Sequence, residues 1–193
     1  MLPLKTKALD FSLPDTLSGK IMSLKNLRGK NATVIMFICN HCPFVIHVIK
    51  EIVQIANTYS SKGISFIAIS SNDIENYPQD APHLMKEIAF KNKFSFPYLY
   101  DESQEIAKKY DAACTPDFYV FDSSLLLKYR GQLDDSRPGN GIPITGNNIR
   151  SALDALLNNS PIPEIQKPSI GSVSYTHLRS PRDQRGSRMP SSA

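Results

Sequence analysis

The sequence predicts an α/β fold in which a central mixed β-sheet is flanked by helices and extended by an N-terminal β-hairpin. Runs of β-branched residues, typical of buried strands, alternate along the chain with segments whose apolar residues recur at helical spacing. A hairpin pattern late in the chain adds antiparallel pairing to the parallel crossovers that this alternation implies. The length of 193 residues is enough for one domain and a tail.

The first half of the chain shows a clear change from strand to helix periodicity. Two short apolar alternations around a Ser-Gly turn predict the hairpin, and a continuous β-branched run predicts a strand buried on both faces. After Pro43 the apolar residues recur every three to four positions, which predicts an amphipathic helix. The predicted elements are a hairpin in 10–24, a loop over 24–30, strands over 32–38 and 64–70, and between them a helix from 43 to 59.

The second half continues the alternation and closes with a helix. A polar loop over 71–82 is followed by an amphipathic segment, a short strand and a short helix. Two strands separated by Asp122-Ser-Ser are expected to pair as an antiparallel hairpin. In order, the predicted elements are helix 83–91, strand 96–100, helix 102–110, strands 117–122 and 125–130, a polar loop over 131–146 and helix 147–157.

Composition and charge exclude several classes of protein. The chain is 41% hydrophobic and 21% charged, as in soluble globular proteins, and its longest apolar run is far below the roughly 18 residues of a membrane span. The N-terminus lacks the apolar segment of a secretory signal. Most of the net charge of +4 comes from four arginines after residue 172, and there is no basic stripe. We therefore expect no nucleic-acid partner and no membrane partner.

The C-terminal segment differs from the rest of the chain. Residues 172–193 contain few large apolar residues and no helical or strand period, and the run Val-Ser-Tyr-Thr-His-Leu-Arg from 173 resembles translated cloning-adapter sequence. We expect one domain over 1–171 and a disordered tail of non-native origin over 172–193.

The cysteines point to redox chemistry. There are three, Cys39, Cys42 and Cys114, which is too few for a disulfide-stabilised secreted scaffold and an odd number. A chain of this kind is expected in a reducing compartment, by default the cytoplasm, where paired cysteines are usually catalytic, redox-sensing or metal-binding.

The motif Cys39-Asn40-His41-Cys42-Pro43 lies between a predicted buried strand and the long helix. The positive end of a helix stabilises a thiolate, which is the reactive form of cysteine. We expect Cys39 to be the accessible attacking thiol, Cys42 to point inward and resolve mixed disulfides, and His41 to favour the Cys39 thiolate when protonated. Pro43 suits the first helical turn because it needs no N–H there.

Two other interpretations of the motif remain open. A pair of cysteines three residues apart can be half of a zinc site, which Cys114 and a histidine would have to complete, or can simply belong to the core. The sequence has no second Cys-x-x-Cys and no His-x-x-x-His pair, and a Cys-x-x-Cys at a strand–helix junction favours redox work.

Several segments together resemble the thioredoxin-like superfamily, within the redoxin group that contains the alkyl hydroperoxide reductase and thiol-specific antioxidant (AhpC/TSA) proteins. More closely, the chain resembles the peroxiredoxin-like "thioredoxin family proteins" with a Cys-Asn-His-Cys-Pro-Phe/Tyr-Val active site. The matching segments are 8–15, 39–45, 71–73, 114–122 and 130–146.

This resemblance implies a substrate-binding loop opposite the cysteine pair. In thioredoxin-like proteins a cis-proline loop faces the Cys-x-x-Cys and binds extended substrate chain, and Thr115-Pro116 matches that loop. Phe44 is expected at the rim of the site. Cys114 is expected near the same face, either as an auxiliary thiol or as a core cysteine, and the polar loop over 134–137 either lines the site or caps a strand through an Asp–Arg pair.

The chain also departs from its relatives. Peroxiredoxins carry Pro-x-x-x-Thr/Ser-x-x-Cys, and when that pattern is aligned on Cys42 its proline and threonine positions are Ile35 and Cys39. Thioredoxins place a buried Asp six residues before the first cysteine, where this chain has Thr33. The resemblance therefore implies neither an ordinary peroxiredoxin nor an ordinary thioredoxin.

The function expected from the sequence is that of a thiol–disulfide oxidoreductase whose redox pair is Cys39 and Cys42. The alternatives are a peroxiredoxin-like peroxidase that reduces hydroperoxides, and a non-enzymatic redox-sensing or zinc-binding module. The expected partners are a protein or small-molecule disulfide, or a hydroperoxide, and a cellular dithiol reductant. No metal or organic cofactor is expected, because the two thiols hold the redox equivalents.

Overall fold

The computed structural model describes residues 2–172, and its centre is a five-stranded sheet in the order β5-β4-β3-β6-β7. Strands β3, β4 and β5 are parallel, whereas β6 and β7 are antiparallel to their neighbours, so the predicted mixed sheet is confirmed. A separate hairpin of β1 and β2 precedes it, also as predicted. The strands are β1 (Ser12–Pro14), β2 (Ile21–Ser23), β3 (Ala32–Phe37), β4 (Ile64–Ser70), β5 (Tyr98–Tyr100), β6 (Asp117–Asp122) and β7 (Leu127–Gly131).

The helices follow the predicted order with two differences. The segment expected as a loop contains a short helix, because the Ser23 side chain accepts a hydrogen bond from the Asn26 N–H and caps its first turn. The helix expected to begin at residue 102 begins later, because Gln104 adopts a left-handed conformation, with φ of 59°. The helices are α1 (Leu24–Leu27), α2 (Pro43–Ser60), α3 (Pro82–Lys91), α4 (Glu105–Lys109) and α5 (Asn147–Leu157), and a 3₁₀ turn spans Pro78–Asp80.

Apolar side chains fill both faces of the sheet. Helices α2, α3 and α5 bury residues such as Ile52, Met85 and Leu153 on one face. Helices α1 and α4 cover the other face together with apolar residues near the hairpin, such as Phe11. Because both faces of β3 are covered, all six of its residues are buried, as its β-branched sequence predicts. None of the helices within residues 2–172 has the length and hydropathy needed to cross a membrane.

After α5 the chain returns across the sheet edge as an irregular segment, residues 161–172, here called the strap. The N–H of Gln132 donates to the Lys167 carbonyl, and Ser172 forms an isolated antiparallel bridge with Thr115. Residue 172, which the sequence places at the start of the tail, thus pairs with the domain. The remainder of the predicted tail, 173–193, lies outside the described residues.

Candidate functional site

The two cysteines of the Cys-x-x-Cys motif lie between the carboxyl end of β3 and the start of α2. Cys42 is the N-cap residue of α2 and Pro43 its first residue, so the proline stands where no backbone N–H is needed. Cys39 is only 1% exposed and Cys42 is fully buried. The inward position of Cys42 is as expected, but the expected accessibility of Cys39 is wrong, because Thr115 and the loop that follows β4 pack against its side.

Thr115 contacts both sulfur atoms. Its Oγ1 lies 3.4 Å from Cys39 Sγ, and its carbonyl oxygen lies 3.2 Å from Cys42 Sγ. The Thr115–Pro116 peptide bond is cis, as the resemblance implied. The predicted pair and the predicted proline loop are therefore brought together, although they are more than 70 residues apart in the sequence.

The two thiols are free, and their environments separate their pKa values. A hydrogen bond from the Cys39 thiol lowers the pKa of Cys42 from 9.0 to about 4, with further help from Ser172, whose Oγ is 3.3 Å away. The same hydrogen bond, burial and the negative charge of Asp80 raise the pKa of Cys39 well above its ordinary value. The Thr115 carbonyl accepts from Cys42 only while that thiol is protonated.

His41 has a partner that the sequence did not identify. Its Nδ1 lies 2.6 Å from Oδ2 of Asp80, and its ring stacks on Tyr77 with 4.8 Å between ring centres. The sequence led us to expect that a protonated His41 favours the Cys39 thiolate. In the structure the His41 ring is hydrogen-bonded to the Asp80 carboxylate instead. One signal could have identified the loop that carries Asp80: loops at the carboxyl ends of neighbouring parallel strands meet, and 71–82 follows the strand beside β3.

Within the described residues, one cluster of potential metal-binding groups adjoins the pair. Cys39, His41 and Asp80 each bring one donor atom, and these atoms lie within 4.8 Å of one another. A structural zinc site takes four ligands, and Cys114, the fourth group suggested by the sequence, is not in this cluster. Both oxygens of Asp80 already accept hydrogen bonds from protein groups. Hydrogen bonding alone therefore accounts for the arrangement.

Phe44 and Pro116 lie together at one side of the site. They line a small cavity of about 10 Å³ with residues of the 132–137 loop. The loop therefore borders the site, which is the first of the two alternatives for it, whereas the second, an Asp–Arg pair that caps a strand, is wrong. Arg137 donates to the carbonyl oxygens of Asp134 and Ser136, whereas the Asp134 carboxylate accepts from the N–H groups of Thr145 and Gly146.

A second cavity, of about 200 Å³, has Cys39 among its lining residues. Its lining is largely apolar and includes Ile46, which is 59% exposed, with Lys91 among its polar residues.

Cys114 is buried behind the proline loop. Its sulfur is 4.0 Å from the Pro116 carbonyl oxygen, and burial raises its pKa to about 12. A thiol held in its protonated form is a poor nucleophile. This environment favours the core interpretation of Cys114 over the auxiliary thiol.

Several solved structures resemble this chain. A crystal structure of an uncharacterized conserved protein from Geobacillus kaustophilus is 57% identical, covers 93% of this chain and 95% of its own, and has a TM-score of 0.90. Two further crystal structures share the fold at low identity. Thiol:disulfide interchange protein DsbE from Chlorobium tepidum is 16% identical over 81% of this chain and 99% of its own, with a TM-score of 0.63. Peroxidoxin BcpB from Mycobacterium tuberculosis is 17% identical over 82% and 98%, with a TM-score of 0.61.

No functionally curated protein matches the chain. The family model for AhpC/TSA proteins matches residues 4–130, which include the cysteine pair, the loop after β4 and the cis-proline. The fold is thioredoxin-like, with its helices on both faces of a mixed sheet. The chain therefore belongs to the AhpC/TSA family of thioredoxin-fold redoxins.

Proposed function

We propose that the protein is a thiol–disulfide oxidoreductase in which Cys39 and Cys42 exchange two electrons with a disulfide. The observation that carries this proposal is the pair of free, hydrogen-bonded thiols that both contact Thr115 beside the cis-proline. The Cys42 thiol has a lowered pKa and the Cys39 thiol a raised one. Such a pair supplies a nucleophile and a proton donor at neutral pH.

In this proposal the expected order of the cysteines is reversed. Cys42 carries the thiolate, because it caps a helix N-terminus and accepts the Cys39 hydrogen bond. Cys39 keeps its proton beside the Asp80 carboxylate. The cysteine expected to resolve mixed disulfides therefore attacks first.

The reaction balances with these two residues. The Cys42 thiolate attacks one sulfur of the substrate disulfide, forms a mixed disulfide and releases the other sulfur as a thiolate. Cys39 then attacks the Cys42 sulfur, forms the Cys39–Cys42 disulfide and releases the second substrate thiolate. The proton that Cys39 loses passes to a leaving thiolate, so the substrate is reduced by two electrons while the pair is oxidised.

The partners follow from the same chemistry. The substrate is a protein or small-molecule disulfide, bound along the Thr115–Pro116 loop with Pro43 and Phe44 at the rim. A cellular dithiol returns the Cys39–Cys42 disulfide to the reduced state found here. The proposal places the protein in a reducing compartment, the cytoplasm, where such dithiols are kept reduced.

A trapping experiment tests both the activity and the order of the cysteines. Oxidised glutathione is added to Cys39→Ser and to Cys42→Ser, and the adducts are located by mass spectrometry. We expect Cys39→Ser to accumulate a glutathione adduct on Cys42, and Cys42→Ser to react slowly. Cys114→Ser is the matched control and should turn over like the wild type. An adduct that accumulates only on Cys39 would show that the order is the one expected from the sequence, and no adduct on either would contradict the activity.

A hydroperoxide is the second candidate substrate, favoured by one observation. Cys42 and Pro43 retain the Cys-Pro step of peroxiredoxins at the start of a helix, with a lowered thiol pKa. The proline and threonine of the peroxiredoxin pattern are absent, and Ile35 at the proline position is fully buried in β3. Hydrogen peroxide consumption measured beside glutathione reduction separates the two activities. Stoichiometric zinc in the reduced protein would instead favour a binding module.

A further inference from the structure

The loop after β4 carries one carboxylate, that of Asp80, which lies beside the cysteine motif. Asp80 is fully buried, and each of its two carboxylate oxygens accepts two hydrogen bonds. Its Oδ1 accepts the backbone N–H groups of Asn40 at 2.7 Å and His41 at 3.2 Å. Its Oδ2 accepts Nδ1 of His41 and Nδ2 of Asn72, each at 2.6 Å. Four donors of this kind are typical of an ionised carboxylate in the interior.

The first consequence concerns the backbone between the cysteines. Asn40 and His41 are the two residues that separate Cys39 from Cys42, and one oxygen of Asp80 holds both of their N–H groups. The Asn40 side chain is fixed as well, because its Nδ2 donates to the Gln79 carbonyl and its Oδ1 accepts from the Tyr98 hydroxyl. The carboxylate thus sets the geometry in which the two sulfurs approach each other.

The second consequence concerns the His41 ring. A carboxylate accepts only, so the ring must donate from Nδ1, and the neutral imidazole then carries its proton on Nδ1 with Nε2 free to accept. Stacking on Tyr77, with 7° between the ring planes, fixes the orientation of the ring.

The third consequence is electrostatic. The titratable and charged groups around Cys39 are Cys42 and His41 in its own loop, Asp80 from the loop after β4, Tyr98 from β5, and Lys91 from α3 in the lining of the adjoining cavity. Tyr98 is neutral because burial raises its pKa well above 10.0. A buried negative charge at Asp80 therefore opposes a second negative charge on Cys39. A negative charge on Cys42 is instead stabilised by the helix N-terminus and by Ser172.

We propose that Asp80 is a positioning residue for the redox pair: it holds the turn between the cysteines and the His41 ring, and its charge directs the thiolate to Cys42. This inference rests on the proposed function in treating the two cysteines as the redox pair and Cys42 as the one that carries the thiolate. Asp80 touches neither the substrate nor the bond that breaks, and it acts through Asn40, His41 and Cys39.

The wild-type protein provides the first test. The reduced protein is alkylated with iodoacetamide between pH 4 and pH 9, and the rate at each cysteine is measured by mass spectrometry. We expect Cys42 to react faster than Cys39 throughout this range. Faster reaction at Cys39 would overturn the proposal. Because no disulfide substrate is used, this result does not depend on whether the proposed activity is correct.

The second test uses the near-isosteric Asp80→Asn, which removes the charge and keeps an oxygen for the backbone N–H groups. We expect the Cys39 to Cys42 rate ratio to rise by about tenfold, the change that one pKa unit produces. The reduction potential should become less negative, because the negative charge no longer opposes thiolate formation in the reduced pair.

The matched control is Asp101→Asn. Asp101 is also a fully buried carboxylate, and it accepts from Ser71 and from the N–H groups of Ile106 and Ala107 at the start of α4. Its removal should lower the thermal midpoint and leave the rate ratio and the potential unchanged. If Asp80→Asn behaves in the same way, Asp80 is merely structural and the proposal fails. If Asp80→Asn does not fold, faster alkylation of Cys39 than of Cys42 in the wild type still overturns the proposal.

Discussion

At the scale of single residues, the site depends on small polar groups that lie within hydrogen-bond distance of the two sulfur atoms. Thr115 offers a hydroxyl to Cys39 and a carbonyl to Cys42, and Ser172 adds a second hydroxyl beside Cys42. Thr33, at the position where thioredoxins carry a buried Asp, is fully buried and accepts the N–H of Gly29 instead. The buried carboxylate near the cysteine pair is therefore Asp80, which lies in the loop after β4.

The lowered pKa of Cys42 predicts an unusual pH profile. Its pKa lies well below the ordinary 9.0, because it accepts the Cys39 hydrogen bond, so the thiolate is present throughout the neutral range and is lost only in acid. Because the thiolate is the reacting form, the alkylation rate at Cys42 should be nearly constant from pH 6 to pH 8 and should fall only at clearly acidic pH.

The unfolded protein is the control for this profile. In denaturant both cysteines should titrate near the ordinary thiol pKa, so their alkylation rates should rise steeply toward alkaline pH. A native profile for Cys42 that rises in the same way would contradict the assigned pKa direction.

At the scale of elements, the strap lies beside Cys42. Ser172 pairs with Thr115 through two backbone hydrogen bonds, Ser169 donates to Asp117, and Gln166 bonds the backbone of β7. These contacts place the strap over Cys42, against the residue that precedes the cis-proline. A substrate chain that binds along Thr115 has to displace this segment.

Gly171→Ala tests the strap. A Cβ atom at this position would lie 1.9 Å from the Thr115 carbonyl oxygen, so the strap must move away. We expect faster alkylation of Cys42 and a loss of about 1–3 kcal/mol of stability from the broken hydrogen bonds. Alkylation kinetics and urea unfolding measure the two effects.

The matched control lies in the same segment. Ile165 is 96% exposed, and Ile165→Ala should change neither the alkylation rate nor the stability. An unchanged rate at Cys42 in Gly171→Ala would mean that the strap does not limit access to the pair.

At the scale of the whole molecule, two apolar layers on one sheet account for the packing. The described residues bury apolar side chains from α2, α3 and α5 on one face and from α1 and α4 on the other. Residues 173–193 lie outside the described part and contribute few large apolar side chains to the sequence. Within residues 2–172, both faces of the sheet are thus covered by a packed apolar layer.

Removal of residues 173–193 should leave the molecule intact. We expect a thermal midpoint within about 2 °C of the full-length protein and the same rate of disulfide reduction, since a loss of about 1 kcal/mol would already shift the midpoint by 2–8 °C. The control is removal of 161–193, which takes away the strap as well and should lower the midpoint and expose Cys42. A large drop after the shorter truncation would show that the tail contributes to the fold.

Much of this architecture was predictable because its signals are local. The residues of β3 are apolar except for Thr33, and the apolar residues after Pro43 recur at helical spacing. Each pattern can be recognised from neighbouring residues alone, so the strand and the helix were predictable. The boundaries were less predictable, because Ser23 begins a short helix through a side-chain cap and Gln104 delays α4 through its backbone conformation. Such effects depend on single contacts and not on a repeating pattern.

The sequence by itself determined the mixed α/β sheet, the position of the cysteine pair between β3 and α2, and the proline loop that faces it. Only the tertiary structure decided how the two thiols differ. The difference depends on Asp80, about 40 residues from the motif, on Thr115, more than 70 residues away, and on the strap, 130 residues away. Hydrogen bonds and charges act through distances of a few ångströms in space, and no local pattern encodes which distant residues the fold brings that close.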